Sequence, residues 1–484
     1  TAGTAFLKEQ PADGSTGIVL EGINFDSNLA ITNASASVAA TTIAAVDNGS
    51  GFVFDSTDYV GAVKAGETPW YEGWTLPGTI AIAAAAPSYD FASCDSGVCT
   101  ISGTVDQDYT MVAGTDYVLS GTVKVGDGNG VISSATEMSA IQAAGVTLTI
   151  EPGVDVKGSS DGILLVTRGS KLVADGTASA PITFSSLDAD YDGMGEWGGI
   201  VVQGFAPQYG AGGTGACFAD GEAWCNVEGE GGTTIANYGG NLPADNSGVI
   251  RYVRIAEGGL VAGPNNEVNG LTLQGVGHGT QISHVQVHGN LDDGIEWFGG
   301  TANVTHAVLT NNDDDDIDFD EGFQGNIQYA LVIKRQDEGA VPVGSNDPRG
   351  LELNSSDGDY VPETAGSVAN VTVIGGDAAN SKSEFGMRIR GSVTANIYNS
   401  AVAGYDNTCA RIDDSDHDGS SATAKIDTPA TFTNFLCDTA GTAFLKEQPA
   451  DGSTGIVLEG INFDSNLAIT NASASVAATT IAAV

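Results

Sequence analysis

The chain is short of positive charge. Its 484 residues carry 17 Lys and Arg against 61 Asp and Glu, a formal net charge of −44 at pH 7. So acidic a surface repels nucleic acid and anionic lipid head groups, and it gathers counter-cations wherever carboxylates crowd together. No run approaches the ~18 consecutive apolar residues of a membrane span. No basic-plus-apolar leader opens the numbered sequence either, so it is expected to be mature and soluble. Sustained helical periodicity is rare, and there is no phosphate-cradling glycine loop, nucleophile elbow or dinucleotide fingerprint. With 67 Gly and only 16% charged residues, the composition points to a turn-dense, β-rich protein whose length alone does not fix its domain count.

Cysteine is also sparse, and the six fall as Cys94/Cys99, Cys217/Cys225 and Cys409/Cys437. The first two pairs can close small loops, which leaves the third by elimination. Zinc is the competing reading, but neither a histidine nor a further cysteine stands at ligand spacing near any of them. Disulfides are therefore expected, and with them an oxidising, extracellular compartment.

Between about residues 146 and 437, short apolar/polar alternations are separated by Gly, Asn and Asp. In Ile295-Glu296-Trp297-Phe298, Ile317-Asp318-Phe319-Asp320, Leu351-Glu352-Leu353-Asn354, Met387-Arg388-Ile389-Arg390 and Ala410-Arg411-Ile412-Asp413, positions one and three are mostly apolar and position two is charged. These segments recur at steps of 22, 34, 36 and 23 residues. A second series, Ile282-Ser283-His284-Val285, Val304-Thr305-His306-Ala307 and Ile327-Gln328-Tyr329-Ala330, interleaves at steps of 22 and 23. Two strand columns returning every ~22 residues, with loop insertions, describe a solenoid of single-turn rungs. The expected fold is all-β: a right-handed parallel β-helix with an irregular terminal closing region. A β-sandwich is the alternative, but its turns would come every 8–12 residues.

Residues Thr1 to Val46 reappear letter for letter as Thr439 to Val484, an offset of 438 positions. That points to near-identical units joined in tandem, or to a frame that runs past one unit into its neighbour.

The blocks Gly195-Glu196-Trp197-Gly198-Gly199-Ile200, Ser247-Gly248-Val249-Ile250-Arg251-Tyr252-Val253-Arg254, Asn265-Asn266-Glu267-Val268-Asn269-Gly270-Leu271-Thr272-Leu273, Asp292-Asp293-Gly294-Ile295-Glu296-Trp297-Phe298-Gly299-Gly300 and Gly325-Asn326-Ile327-Gln328-Tyr329-Ala330 resemble the recurrent blocks of a family of secreted, often lipid-anchored bacterial β-helix proteins. The stretch Phe54 to Val63, followed by Trp70-Tyr71-Glu72-Gly73-Trp74-Thr75, resembles that family's C-terminal tail, yet here it comes near the start. The resemblance implies the fold more than any activity. It divides the chain into a closing region at 1–78, a junction at 79–97, the β-helix at 98–438 and, at 439–484, the start of the next unit's closing region.

Two segments match the first half of a calcium loop: Asp188, Asp190 and Asp192 with Glu196 to complete the shell, and Asp414, Asp416 and Asp418. Alternate carboxylates beside a glycine can converge on one hard cation, although neither segment carries the full EF-hand pattern. Metal binding by these residues, with calcium as the cofactor, is the expectation. The acidic run Asp313 to Glu321 is the densest charge in the chain, and on the strand reading Asp316, Asp318 and Asp320 share its outward face. Neighbouring rungs then place Glu296, Asp318 and Glu352 in one column about 4.8 Å apart, with Arg388 and Arg411 continuing it. Like charges that close require neutralisation. If the protein is an enzyme, Asp318, Glu352 and Arg388 are the candidate catalytic residues. Gly277-His278-Gly279, Asp292-Asp293 and Arg388-Ile389-Arg390 echo polygalacturonase motifs, but in the wrong order. His284, His306 and Tyr329 read as a core or corner ladder.

The main functional expectation is an extracellular structural protein. In it, calcium-stabilised units pair head to tail with copies of themselves in a fibre, stalk or surface array, because open strand edges demand partners. The alternative is a polysaccharide-active enzyme or glycan-binding adhesin using the acidic column.

Overall fold

Alternation along each short strand leaves one apolar row and one polar row, and the apolar row can be hidden only if the chain coils on itself. The computed structural model describes residues 62–64, 67–68, 89–209, 224–263, 266–335, 348–355, 360–376, 384–391, 393–413 and 430–470. The chain divides into two compact units, Thr1–Tyr89 and Asp90–Val484. In the first, the described residues include an ion pair between Lys64 and Glu67 (3.2 Å). The second is a right-handed parallel β-helix built on a 25-stranded sheet.

Its first face stacks Ile163–Val166, Gly199–Gln203, Leu271–Gln274, Ile295–Phe298, Ile317–Asp320, Leu351–Ser355, Phe385–Gly391, Thr408–Ile412 and Thr442–Lys446, each parallel to the next. The inward pairs Ile295/Trp297, Ile317/Phe319, Leu351/Leu353 and Met387/Ile389 are fully buried. At ~1.5–3 kcal/mol for each large apolar side chain removed from water, this row provides the cohesion along the axis.

The other two faces come from longer strands that bend once: Gly248–Ala256, Gln281–His288, Val304–Thr310, Asn326–Ile333, Ala365–Ile374, Thr394–Tyr405 and Ala430–Thr439. Every bend sits on one residue with positive φ: Tyr252, His284, His306, Tyr329, Asn370, Asn399 and Asn434. The first four stack their rings, with centroids 4.4 Å apart for Tyr252–His284 and His284–His306 and 4.9 Å for His306–Tyr329. Asparagine, which tolerates left-handed backbone, takes over further along, and Asn434 Nδ2 donates to Asn399 Oδ1 at 3.0 Å. The ladder of His284, His306 and Tyr329 is thus a corner rather than a core.

Two expected boundaries shift. Ala92–Asp95, inside the expected junction at 79–97, pairs antiparallel with Val98–Val105 as a hairpin closed by the Cys94–Cys99 disulfide. Thr442–Lys446 and Thr454–Leu458, assigned from sequence to a following unit, extend this same β-helix by one rung. The physical reason is the edge itself, since Thr408–Ile412 and Thr433–Cys437 would otherwise present unpaired backbone groups. Within the described residues the one α-helix, Ala135–Ala143, starts at Ser134, whose hydroxyl accepts from the Glu137 N–H (3.2 Å). The closing region 1–78 and the tail-like Trp70–Trp74 block lie almost wholly outside the described residues.

Candidate functional site

The predicted charge column forms in register. On the first face Thr272 pairs with Glu296, Glu296 with Asp318, Asp318 with Glu352, Glu352 with Arg388, and Arg388 with Arg411. Each follows an inward residue and precedes another, so the pleat points all six outward. Asp318 and Glu296 are half-buried and Glu352 is buried. Asp320 stands in the adjacent row, where it accepts from Tyr209 OH (2.5 Å) and Asn354 Nδ2 (2.9 Å). Asp316 does not share this face. It is buried in the turn before the strand, where Lys334 Nζ pairs with it at 3.0 Å and Asn312 Nδ2 donates to it at 2.8 Å.

A second row of carboxylates comes from the turns that lead into the face. Asn269, Asp293, Asp315 and Arg349 occupy the same place on successive rungs, two residues ahead of each strand. Asn269 Oδ1 accepts from the Asp293 N–H (3.2 Å), Asp293 Oδ1 from the Asp315 N–H (2.9 Å), and Asp315 Oδ1 from the Arg349 N–H (2.5 Å). These bonds fix the turns and draw their carboxylates against the column.

The result is a run of overlapping triads: Asp292/Asp293/Asp314, Asp293/Glu296/Asp318 and Asp315/Asp318/Glu352, each able to present one oxygen apiece within 4.8 Å of the others. Asp318 belongs to two of them, and its Oδ1 is buried with no hydrogen-bond partner. Burial, followed by the charges of Glu352 and Asp320, holds the Asp318 carboxyl well above the usual range. Burial with Glu230 and Asp318 does the same to Glu296, and burial with Asp318 and Asp292 does so to Asp293. Asp315 is raised by burial and by Asp314. Burial and Asp314 push Asp292 to about 8, and burial pushes Glu230 to about 7. Desolvation and like charge therefore work together, and the cluster must hold protons or attract cations.

Among the described residues, the cations paired with the column's own side chains stand at its lower end. Glu352 is bridged by Arg390 Nη2 (2.5 Å) and Arg388 Nη1 (3.5 Å). Below it Asp413 collects Arg388, Arg411 and Lys446 at 3.4, 2.8 and 3.0 Å. The candidate catalytic residues Asp318, Glu352 and Arg388 are therefore brought together.

The calcium-loop expectations divide. Asp188 and Glu196 meet in a triad with Glu257, whereas Asp190 and Asp192 are exposed and lie outside that triad. A hydrogen bond from Ser186 favours the charged form of Glu196, but burial and the neighbouring Asp188 and Glu257 outweigh it and raise the carboxyl. Glu257, fully buried at a corner, accepts from Ser186 Oγ (2.9 Å). Asp414, Asp416 and Asp418 lie outside the described residues. Cys94–Cys99 and Cys409–Cys437 are disulfides. Cys225 is disulfide-bonded too, while Cys217 lies outside the described residues. His278 bonds to Thr301 and Pro243, so of the polygalacturonase echoes only Asp292-Asp293 and Arg388-Ile389-Arg390 converge on the acidic face.

Sequence reasoning missed Asp293 and Asp315 as partners of the column, and Arg390 as the closest cation to Glu352. A signal was present for the first two: Asn269-Gly270-Leu271, Asp293-Gly294-Ile295, Asp315-Asp316-Ile317 and Arg349-Gly350-Leu351 align when counted back from the strands. It gave none for Glu257, which reaches its triad from an irregular turn, or for Glu230, whose charge acts on Glu296.

The chain matches the family described as pectate-lyase-like β-helix domain over residues 103–479. It belongs to that family. Among curated proteins none matches it. Among solved structures it is similar to the Dettilon tailspike protein at 12% identity, covering 71% of this chain and 60% of that one, with a TM-score of 0.28. A GH87 α-1,3-glucanase catalytic domain in complex with nigerose is similar at 11% identity, covering 75% of this chain and 62% of that one, with a TM-score of 0.22. An alginate lyase from a Paenibacillus species is similar at 14% identity, covering 71% of this chain and 98% of that one, with a TM-score of 0.20. The chain thus spans about 60% of the first two proteins' lengths, and likenesses this loose carry no chemistry across.

Proposed function

We propose that the acidic column is a polysaccharide-binding site with hydrolytic capacity, in a protein that works outside the cell or at its surface. The observation that carries this reading is the asymmetry within one triad. Burial and like charge raise the Asp318 carboxyl well above its usual range, while Glu352, with an oxygen within 4.8 Å of it, is paired with two arginines. A carboxylic acid beside an arginine-paired carboxylate is the equipment of glycosidic cleavage, in which one group protonates the leaving oxygen and the other attacks or activates water. Their closeness fits the ~5 Å spacing of retaining glycosidases better than the wider gap that admits a water. In this reading Asp318 is the acid, Glu352 the nucleophile, and Arg388 and Arg390 hold Glu352 in place and bind sugar hydroxyls or carboxylates. Disulfides support the extracellular location, since they persist in oxidising compartments.

A divalent cation is the alternative occupant of the same residues, since an Asp318 that ligates a metal is ionised and does not act as the acid. The partnerless Asp318 Oδ1 is an oxygen waiting for a ligand, and the donor set of Asp293, Glu296 and Asp318 is all hard oxygen, which suits calcium. Bound there, calcium would neutralise the upper column, and it could equally be held by Asp188, Glu196 and Glu257. The test is a panel of neutral and acidic polysaccharides, with reducing-end release and affinity electrophoresis as readouts, for the wild type and Asp318→Asn. Absence of binding and cleavage across the panel would sink the proposal.

A further inference from the structure

The last described rung of the β-helix is made from the duplicated segment. Thr442–Lys446 lies parallel on Thr408–Ile412, with Phe444 opposite Ala410, and Thr454–Leu458 lies on Thr433–Cys437. Its anchor is Phe444, whose ring sits 4.9 Å from Phe432 and 6.0 Å from Phe435. Lys446 Nζ pairs with Asp413 Oδ1 at 3.0 Å. Ser453 Oγ accepts from the Phe432 N–H at 3.0 Å, and Asp438 Oδ2 accepts from the Ile461 N–H at 2.8 Å. Gly455, at φ +66, continues the corner column below Asn434.

Every one of these donor groups exists twice. Phe6, Lys8, Ser15, Gly17 and Ile23 stand where Phe444, Lys446, Ser453, Gly455 and Ile461 stand, in a stretch identical over 46 residues. Whatever makes the edge recognise 442–461 makes it recognise 4–23. The resident rung also holds its place weakly, since its two strands are half-buried or exposed throughout.

We propose that residues 4–23 of a second copy of this chain seat on Thr408–Ile412 and Thr433–Cys437 in place of the chain's own 442–461, joining copies head to tail by strand exchange. Backbone ladder bonds supply the affinity, as in other strand additions, while Phe6 in the Phe432/Phe435 recess and Lys8 on Asp413 supply the register. The contact is heterologous, donor segment to acceptor edge, and so propagates into linear assemblies instead of closing as a dimer. The resident copy is tethered a few residues from the edge and competes with an effective concentration in the millimolar range, so weakening it should release the exchange. The inference is independent of the acidic face.

The experiment uses the full chain with Phe444→Asp, followed by light scattering against concentration. The expected result is a mass that grows with concentration, and a return to monomer in the Phe6→Asp/Phe444→Asp double variant. A Phe444→Asp chain that stays monomeric overturns the proposal, as does a double variant that associates equally well, because association would then not use the N-terminal copy. As a check on a disturbed helix end, a peptide of residues 1–32 is added to the Phe444→Asp chain. It should raise the melting midpoint and reduce the assembled mass, whereas the Phe6→Asp peptide should do neither. Failure of the wild-type peptide to bind also overturns the proposal.

Discussion

The acidic face and the aromatic corner are built by the same device and have opposite energetics. Each stacks one residue type at one-rung spacing. At the corner the stack satisfies itself, because Tyr252, His284, His306 and Tyr329 gain ring contact from their neighbours and offset part of the cost of left-handed backbone. On the acidic face each added carboxylate raises the cost of the others, as the upward shifts of Glu296, Asp318 and Asp293 record. A repeat that stabilises itself needs no further explanation than folding. One that opposes folding calls for a proton, a cation or a ligand, and for that reason the proposed function is assigned to the face and not to the corner.

Breaking that contrast starts with Asp318→Asn. On the proposed chemistry it lowers cleavage by about 10²–10⁴-fold, the usual contribution of a positioned acid, while the melting midpoint holds or rises because the amide has no charged form to desolvate. Loss of stability together with activity would instead make the column a structural element. Next is pH. Folded-state values raised to about 8 for Asp292 and about 7 for Glu230 mean that the folded chain keeps protons the unfolded chain has released. Stability is therefore fully present below about pH 4 and is lost as pH rises towards 8. In chelator the midpoint should fall by roughly 5 °C or more between pH 5 and 8, and millimolar calcium should restore it at pH 8; a flat profile would refute the electrostatic reading.

The corner should respond more quietly. His306→Val places a β-branched residue at φ +59 and removes two ring contacts, for a loss of about 1–3 kcal/mol by denaturant unfolding. His306→Asn, which tolerates the same backbone, should cost less than about 1 kcal/mol. If the two cost the same, ring stacking and not backbone conformation is what the corner supplies.

Much of this was legible in the sequence. Positions one and three of Ile295-Glu296-Trp297-Phe298 and its relatives fixed which side chains face inward, and their steps fixed which carboxylates become neighbours. The register of Glu296, Asp318, Glu352 and Arg388 followed without knowledge of any turn. Asp316 shows where that logic stops: alternation was extended one residue beyond the strand, into a turn whose path is set by Lys334 and Asn312. Glu257 and Glu230 were beyond reach for the same reason, because turns obey no period. The last rung was misassigned because a sequence repeat says which residues are alike and not which edge they pair with.

The left-handed corner also governs where this chain can change length. Between the second and third faces every rung spends one residue on the bend, from Tyr252 through Asn434. The longer rungs place their extra residues at the other two corners, as between Ile333 and Leu351 and between Ser355 and Ala365. A single insertion at the one-residue bend would turn every later side chain of that strand to the opposite face. From Tyr252 onward growth is thus confined to the other two vertices, both of which border the acidic face, whereas the preceding rungs spend residues 151–154 and 176–181 at this corner.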